Sequence, residues 1–165
     1  MTNINTIQML ARYNAWTNDL IFEAIDKLIN DESNKKDIII LNKMVRALNH
    51  NYTVDLIWQA HLQKRNHGII ERNPTVHPPF NALANKQQEM SKWYISWSDD
   101  LTDSALNEKI NVKLIGGNEV IMSCEEIFLH VVNHTTYHRG FIAELFFQMQ
   151  LKPPATDLTV FLRNK

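Results

Sequence analysis

The sequence has a single cysteine, Cys124, so neither an intrachain disulfide framework nor a cysteine-based zinc module can form. A reducing cytoplasm is the expected setting. Glycine is scarce, four in 165 residues, which suits long helices better than a many-turned β architecture. Charge of one sign is also missing. Seventeen Lys and Arg against 18 Asp and Glu leave a formal net charge of -1, with no overall attraction for nucleic acid or anionic lipid. No apolar run reaches the about 18 residues that cross a bilayer, and the densest, Phe141 to Phe147, is interrupted by Glu144. Met1 to Leu10 lacks the basic start and apolar run of a secretory signal. These absences predict a soluble cytoplasmic protein with neither nucleic acid nor membrane as partner.

What is present reads as a folded globule, with 44% apolar and 21% charged residues in a length that fits one domain over 1–165. Apolar residues recur at helical spacing in four places. The first seam runs through Ile7, Leu10, Asn14, Thr17, Ile21, Ala24 and Leu28. After the charged stretch Asp31 to Lys36, a second carries Ile40, Met44, Ala47, His50/Asn51, Val54, Ile57/Trp58 and His61. The third, with Asn81 as its N-cap, holds Leu83, Gln87, Met90, Tyr94, Trp97 and Leu101. Between Ile110 and Ile121 the run Gly116-Gly117-Asn118 predicts a small β-hairpin. Ser123 and Glu126 then form a capping box that opens a fourth helix with the seam Ile127, Val131, His134, His138, Phe141, Leu145 and Gln148. Lys152-Pro153-Pro154 stops it, and Leu158, Val160 and Leu162 suggest a short extended tail. Arg65 to Pro79 is the long connection between helices two and three. The predicted fold is all-α: a four-helix bundle with long connections and a small hairpin before its last helix, in which sites form from side chains that project inward.

Seven histidines are the abundance to explain. His130, His134 and His138 follow one another at i,i+4 steps, so neighbouring members share a helix face and two imidazoles can reach one ion. A helical histidine pair is more often simply hydrogen-bonded to its surroundings. At core positions, however, two adjacent imidazoles each need a partner, and a metal ion supplies one to both. His134 and His138 lie on the seam, whereas His130 sits to one side as an outer contact or spare ligand. His50, between Ala47 and Val54, is the best third ligand; Asp55 and His61 are weaker alternatives on the same helix. His61, His67 and His77 read as exposed and incidental. Trp16, Trp58, Trp93 and Trp97 read as packing. Asn14 and Thr17 could line a central cavity or hydrogen-bond across the bundle.

The stretch Leu129 to Gly140, containing His-Thr-Thr-Tyr-His-Arg-Gly, resembles the last-helix signature of the DinB/YfiT-like proteins. Tyr13-Asn14-Ala15-Trp16-Thr17-Asn18 is similar to their first helix, Leu48-Asn49-His50-Asn51 to the region of their helix-two histidine, and Lys152 to Leu158 to their carboxyl-terminal segment. The resemblance implies a four-helix bundle, a divalent metal held by His50, His134 and His138, and in many members a homodimer. Members of known chemistry include bacillithiol- or mycothiol-dependent transferases and a thiol-dependent isomerase. Phe141 stands where many relatives carry glutamine.

Two functions follow as expectations. The first is a metal-dependent enzyme of the thiol-transferase or hydrolase type, acting on a low-molecular-weight thiol and an electrophile; zinc or nickel suits its ligands best, with iron or manganese admissible. Its catalytic residues are not identified by spacing, since Asp55, Glu126 and His130 all qualify as general base. The second is a non-catalytic metal-binding, sensor or structural dimeric bundle that keeps the same ligands.

Overall fold

The computed structural model describes residues 3–163. Four long helices form the bundle: α1 (Ile4–Asn30), α2 (Ile38–Leu62), α3 (Phe80–Asp99) and α5 (Cys124–Gln148). A short helix α4 (Asp103–Leu106) and a hairpin of β1 (Lys109–Lys113) and β2 (Glu119–Ser123) precede α5, and α6 (Leu158–Arg163) follows it. The fold is thus the expected all-α bundle with a small hairpin. α1 packs chiefly against α3, and α2 against α5. None of the described helices is long and apolar enough to cross a membrane.

Local chemistry sets the element ends. Asp31 accepts the Ser33 N–H at 2.9 Å and opens a 3₁₀ turn, Glu32–Asp37, that joins α1 to α2. At α5 the capping box is complete: Ser123 Oγ accepts the Glu126 N–H at 3.1 Å, and Glu126 Oε2 accepts the Ser123 N–H at 2.6 Å. In the hairpin, Gly116 and Gly117 adopt φ of +105° and +93°, a region closed to most side chains, while Ile110 and Val112 are buried beneath the strand.

Several sequence expectations need correction. α3 begins at Phe80 with Pro79 as its cap, so Asn81 lies inside the helix; the Pro79 carbonyl accepts from Leu83 instead of a side-chain cap. Leu101 lies beyond that helix, which ends at Asp99. The tail is helical, not extended: the Asp157 carbonyl accepts from Val160 and Phe161, and the Phe161 ring sits 5.7 Å from Tyr13 and 5.5 Å from Trp16. On α5 the buried line runs Ile127, Val131, Thr135, Arg139, Ile142 and Leu145, which leaves His134 and His138 at its margin and Phe141 and Gln148 exposed. α5 also stops before the prolines.

That stop is a Schellman motif. Leu151 N–H reaches the Phe146 carbonyl and Gln150 N–H the Phe147 carbonyl, with Gln150 at φ +58°. α2 ends in the same way, through Arg65 to Ala60 and Lys64 to His61, with Lys64 at φ +55°.

The apolar core falls into two clusters. One, at the hairpin end, gathers Ile7, Trp58, Tyr94, Val112 and Phe128; the other gathers Ile25, Met44, Leu83, Ile142 and Leu145. Between them, every long helix contributes buried polar side chains: Asn14, Thr17 and Asn18 from α1, Asn51 and Asp55 from α2, Gln87 from α3, and Thr135 and Arg139 from α5.

Because a non-glycine residue in the left-handed region costs about 1 kcal/mol, Gln150→Gly is expected to raise the thermal midpoint. Denaturation followed by circular dichroism reads it, and an unchanged or lowered midpoint would show that the motif carries no such strain.

Candidate metal centre

The polar layer meets solvent between α2 and α5, and there the histidines converge. His50 on α2 and His134 and His138 on α5 offer ring nitrogens that all lie within 4.8 Å of one another. The imidazole centroids are 5.1 Å (His50 to His134), 4.6 Å (His50 to His138) and 4.5 Å (His134 to His138) apart. The Nε2 atoms of His50 and His134 approach to 3.1 Å. Two nitrogens each about 2.0–2.1 Å from a shared ion are separated by about 3 Å, so the spacing fits such a pair. His50 Nδ1 donates to the Arg72 carbonyl at 2.9 Å, which fixes the ring and leaves Nε2 as the lone-pair nitrogen. The long α2–α3 connection therefore braces the site.

Burial favours the neutral form of His134 and His138, the form that ligates. The pKa of His134 is pushed down to about 3, first by desolvation and then by the charges of His138, His50, His130 and Arg72. His138 is lowered by desolvation and by His50. His134 Nδ1 is buried without a partner. A donor set of three imidazoles could hold a divalent metal ion. A groove of about 350 Å³ adjoins it, lined by His50 and His138 together with Lys43, Arg46, Tyr137 and Phe141.

Arg139, next in sequence to His138, turns into the bundle. Its guanidinium donates to Asn14 Oδ1 at 2.9 Å and to Thr136 Oγ1 at 2.7 Å, and lies 5.3 Å from the Tyr13 ring centre. Asn14 thus bonds across the bundle, whereas Thr17 bonds back to the Asn14 carbonyl. Sequence reading missed Arg139 as a core residue, although its position four residues beyond Thr135 and three before Ile142 was the available signal. Asp55, 1% exposed, accepts from Gln87 at 2.9 Å through Oδ2 while Oδ1 has no partner. Desolvation raises its pKa to about 7 and outweighs the lowering by Gln87 and Arg139.

The weaker ligand candidates stand apart from the cluster. Asp55 is engaged with Gln87, and His61 lies eleven residues after His50, about 16 Å along the helix. His61 also departs from its expected exposure: it is 6% exposed, packed 5.7 Å from Trp58. His67 and His77 are half-buried, each with a backbone partner. Glu126 is occupied by the helix cap and by Lys109 at 3.3 Å. His130 is a true neighbour, with its ring 5.8 Å from His134 and 4.8 Å from Trp58, and desolvation lowers its pKa. Trp58 is core, and Trp93 stacks on Trp97 at 6.3 Å, as packing residues should.

A four-helix bundle with three histidines gathered from its second and last long helices defines the class. The whole chain, residues 1–165, matches the sequence profile of the DinB family, and the protein belongs to that family. It is similar to Protein DinB of Bacillus subtilis (strain 168), with 24% identity over 159 residues, covering 93% of this chain and 91% of that one.

Asp55 binds its proton more tightly when folded than when unfolded, so its contribution to stability is present below about pH 4 and is lost as pH rises through about 7. In metal-free protein, Asp55→Asn is expected to gain on the parent across that window, by up to ~4 kcal/mol. Chemical denaturation at pH 4.5, 6 and 8 reads the difference, and a difference independent of pH would refute the buried-proton assignment.

Proposed function

We propose that this DinB-family protein binds one divalent metal ion through His50, His134 and His138 and works as a metal-dependent enzyme of the thiol-transferase or hydrolase type. The observation that carries the reading is the convergence of three ring nitrogens within 4.8 Å beside an open groove. Imidazoles add no negative charge, so a bound ion with an open position would keep its full charge and favour ionisation of a coordinated water or thiol near neutral pH. Zinc and nickel suit this donor set best, with iron and manganese next.

The chain's own residues supply the rest. The Arg72 carbonyl orients His50. His130, kept neutral by partial burial beside His134, is placed to accept a proton near the ion. Tyr137 and Phe141, both exposed on the groove wall, offer apolar surface to an electrophile. Phe141 in place of glutamine makes this wall a point of difference in substrate choice among relatives, so we assign it a contact with the substrate body.

The test begins with chelator-treated, untagged protein titrated with zinc or nickel by calorimetry. One ion per chain is expected. At a free concentration of about 100 times Kd, the ion should add about 2.7 kcal/mol to stability. His134→Ala and His138→Ala should weaken binding by about 100-fold or more, since each removes a direct ligand, and His77→Ala should leave it unchanged. Loss of thiol transfer or hydrolysis in His138→Ala supports the enzyme. Metal bound one to one without turnover on any thiol or hydrolytic substrate leaves a non-catalytic metal-binding bundle, and His134→Ala with parental affinity overturns the ligand assignment.

A further inference from the structure

A cleft of about 830 Å³ lies at the hairpin end, and none of the three clustered histidines lines it. One wall is the end of α2 and the chain leaving it, from His61 to Ile70. The other is β1 with its flanking residues, from Glu108 to Gly117. No residue of β2 contributes. The cleft therefore follows the edge of β1 that the two-stranded sheet leaves unpaired.

The register shows which backbone groups face it. Cys124 N–H donates to the Glu108 carbonyl and Leu114 N–H to the Asn118 carbonyl, so in the pairing of Lys109 with Ser123 through Lys113 with Glu119 the even-numbered residues of β1 bond to β2. Bonded and non-bonded pairs alternate in an antiparallel ladder. The N–H and C=O groups of Lys109, Asn111 and Lys113 accordingly point into the cleft. The His61 ring faces the Lys113 backbone, in agreement with this parity.

The rest of the cleft shares one chemical character. Lys64, Arg65, Lys109 and Lys113 line the cleft with one carboxylate, Glu108, which pairs with Lys64 at 2.6 Å, while Lys109 reaches Glu126 outside the cleft at 3.3 Å and Lys113 lies opposite Glu119 in the ladder. Ile70 is 89% exposed on the opposite wall. His61 Nε2 is buried without a partner, in a side chain only 6% exposed. His67 Nδ1 accepts the Ile69 N–H at 3.0 Å, which leaves Nε2 as the donor nitrogen of the ring. Backbone donors and acceptors thus alternate along the β1 wall. A simple anion would satisfy only the donors, whereas a peptide backbone satisfies both. A second copy of β1 fits poorly, since antiparallel pairing centred on Asn111 sets Lys109 against Lys113.

The geometry points to the free edge of β1 as a docking site for an extended acidic segment of a partner protein, which adds as a third strand with acidic side chains beside Lys109 and Lys113. Backbone pairing supplies affinity in such complexes and flanking side chains supply selectivity.

The probe is fluorescein-labelled Gly-Glu-Val-Thr-Val-Glu-Gly, followed by fluorescence anisotropy with the full chain. Saturable binding is expected. N-methylation of the threonine amide should weaken it by about tenfold or more, as removal of a backbone hydrogen bond does. A probe with lysine in place of both glutamates should bind at least as much more weakly. Asn111→Pro removes an outward N–H together with the exposed Asn111 Nδ2 bond to Glu119, leaves the backbone ladder to β2 intact and should match the effect of methylation. Methylation of the peptide needs no change to the protein, so the test survives a variant that fails to fold. Equal binding of the methylated peptide would reduce the contact to charge attraction and overturn strand addition; no saturable binding of the unmodified probe would overturn the site itself.

Discussion

The structure depends on a buried polar layer that interrupts the apolar core. Arg139 is its cationic centre, 4% exposed, and its guanidinium ties α5 to α1 through Asn14 while resting on Tyr13. Tyr13 in turn donates to the Thr156 carbonyl at 2.7 Å, which draws the segment after α5 back onto α1. Burying a guanidinium is costly unless its donors are satisfied. The register between α1 and α5 is thereby constrained: a slip of one helical turn would strip Arg139 of Asn14 and, in one direction, oppose it to Ala11. Apolar ridges alone tolerate such slips more readily than a hydrogen-bonded charge does. The histidines inherit this precision, because His138 precedes Arg139 and His134 lies one turn before His138.

The layer also explains the opposed titrations of two nearby groups. Burial disfavours whichever form is charged. It therefore holds His134 neutral by pushing its pKa down and Asp55 neutral by pushing its pKa up. The linkage signs oppose each other as well: stability drawn from neutral His134 is lost as pH falls from about 6.5 toward 3, and that from protonated Asp55 is lost as pH rises from about 4 to 7. In the metal-free chain these slopes offset one another over much of the acidic range. A flat stability profile would thus conceal two large terms. Among the described residues, four of the five buried side-chain atoms without partners belong to Asn51, Asp55, Gln87 and His134, all at this level of the bundle. Such incomplete satisfaction is characteristic of functional sites rather than of cores optimised for stability.

The legible part of the fold was what periodicity and capping encode locally. The four long helices, the Gly116-Gly117 turn and the Ser123/Glu126 box all rest on neighbours within a few residues. His50, His134 and His138 were legible as a group because helical spacing places two of them together and the bundle brings in the third. What escaped depended on distant contacts. The tail is a helix because Phe161 finds Tyr13 and Trp16, more than 140 residues earlier. Arg139 reads as a surface residue until Asn14 is placed across from it. His61 reads as exposed because helix ends usually are; here the hairpin folds over the end of α2 and buries it.

The hairpin has a structural task that accounts for its inner face and leaves its outer edge unexplained. Ile110 and Val112 close the core at one end, with Val112 fully buried, and the capping box joins β2 directly to α5. A two-stranded sheet is marginal by itself, so packing on the bundle must hold it in place. That support fixes the backbone of β1 beside the α2 terminus, with the His61 ring facing Lys113. An edge strand whose sole purpose was closure would be expected to turn its lysines to water over a covered edge. Here a cleft runs along it, and the polar groups on the facing wall, at His61 and His67, belong to side chains that the three-histidine centre does not use. The bundle therefore carries two recognition surfaces at different levels, one formed by the polar layer between α2 and α5 and one by the unpaired edge of β1.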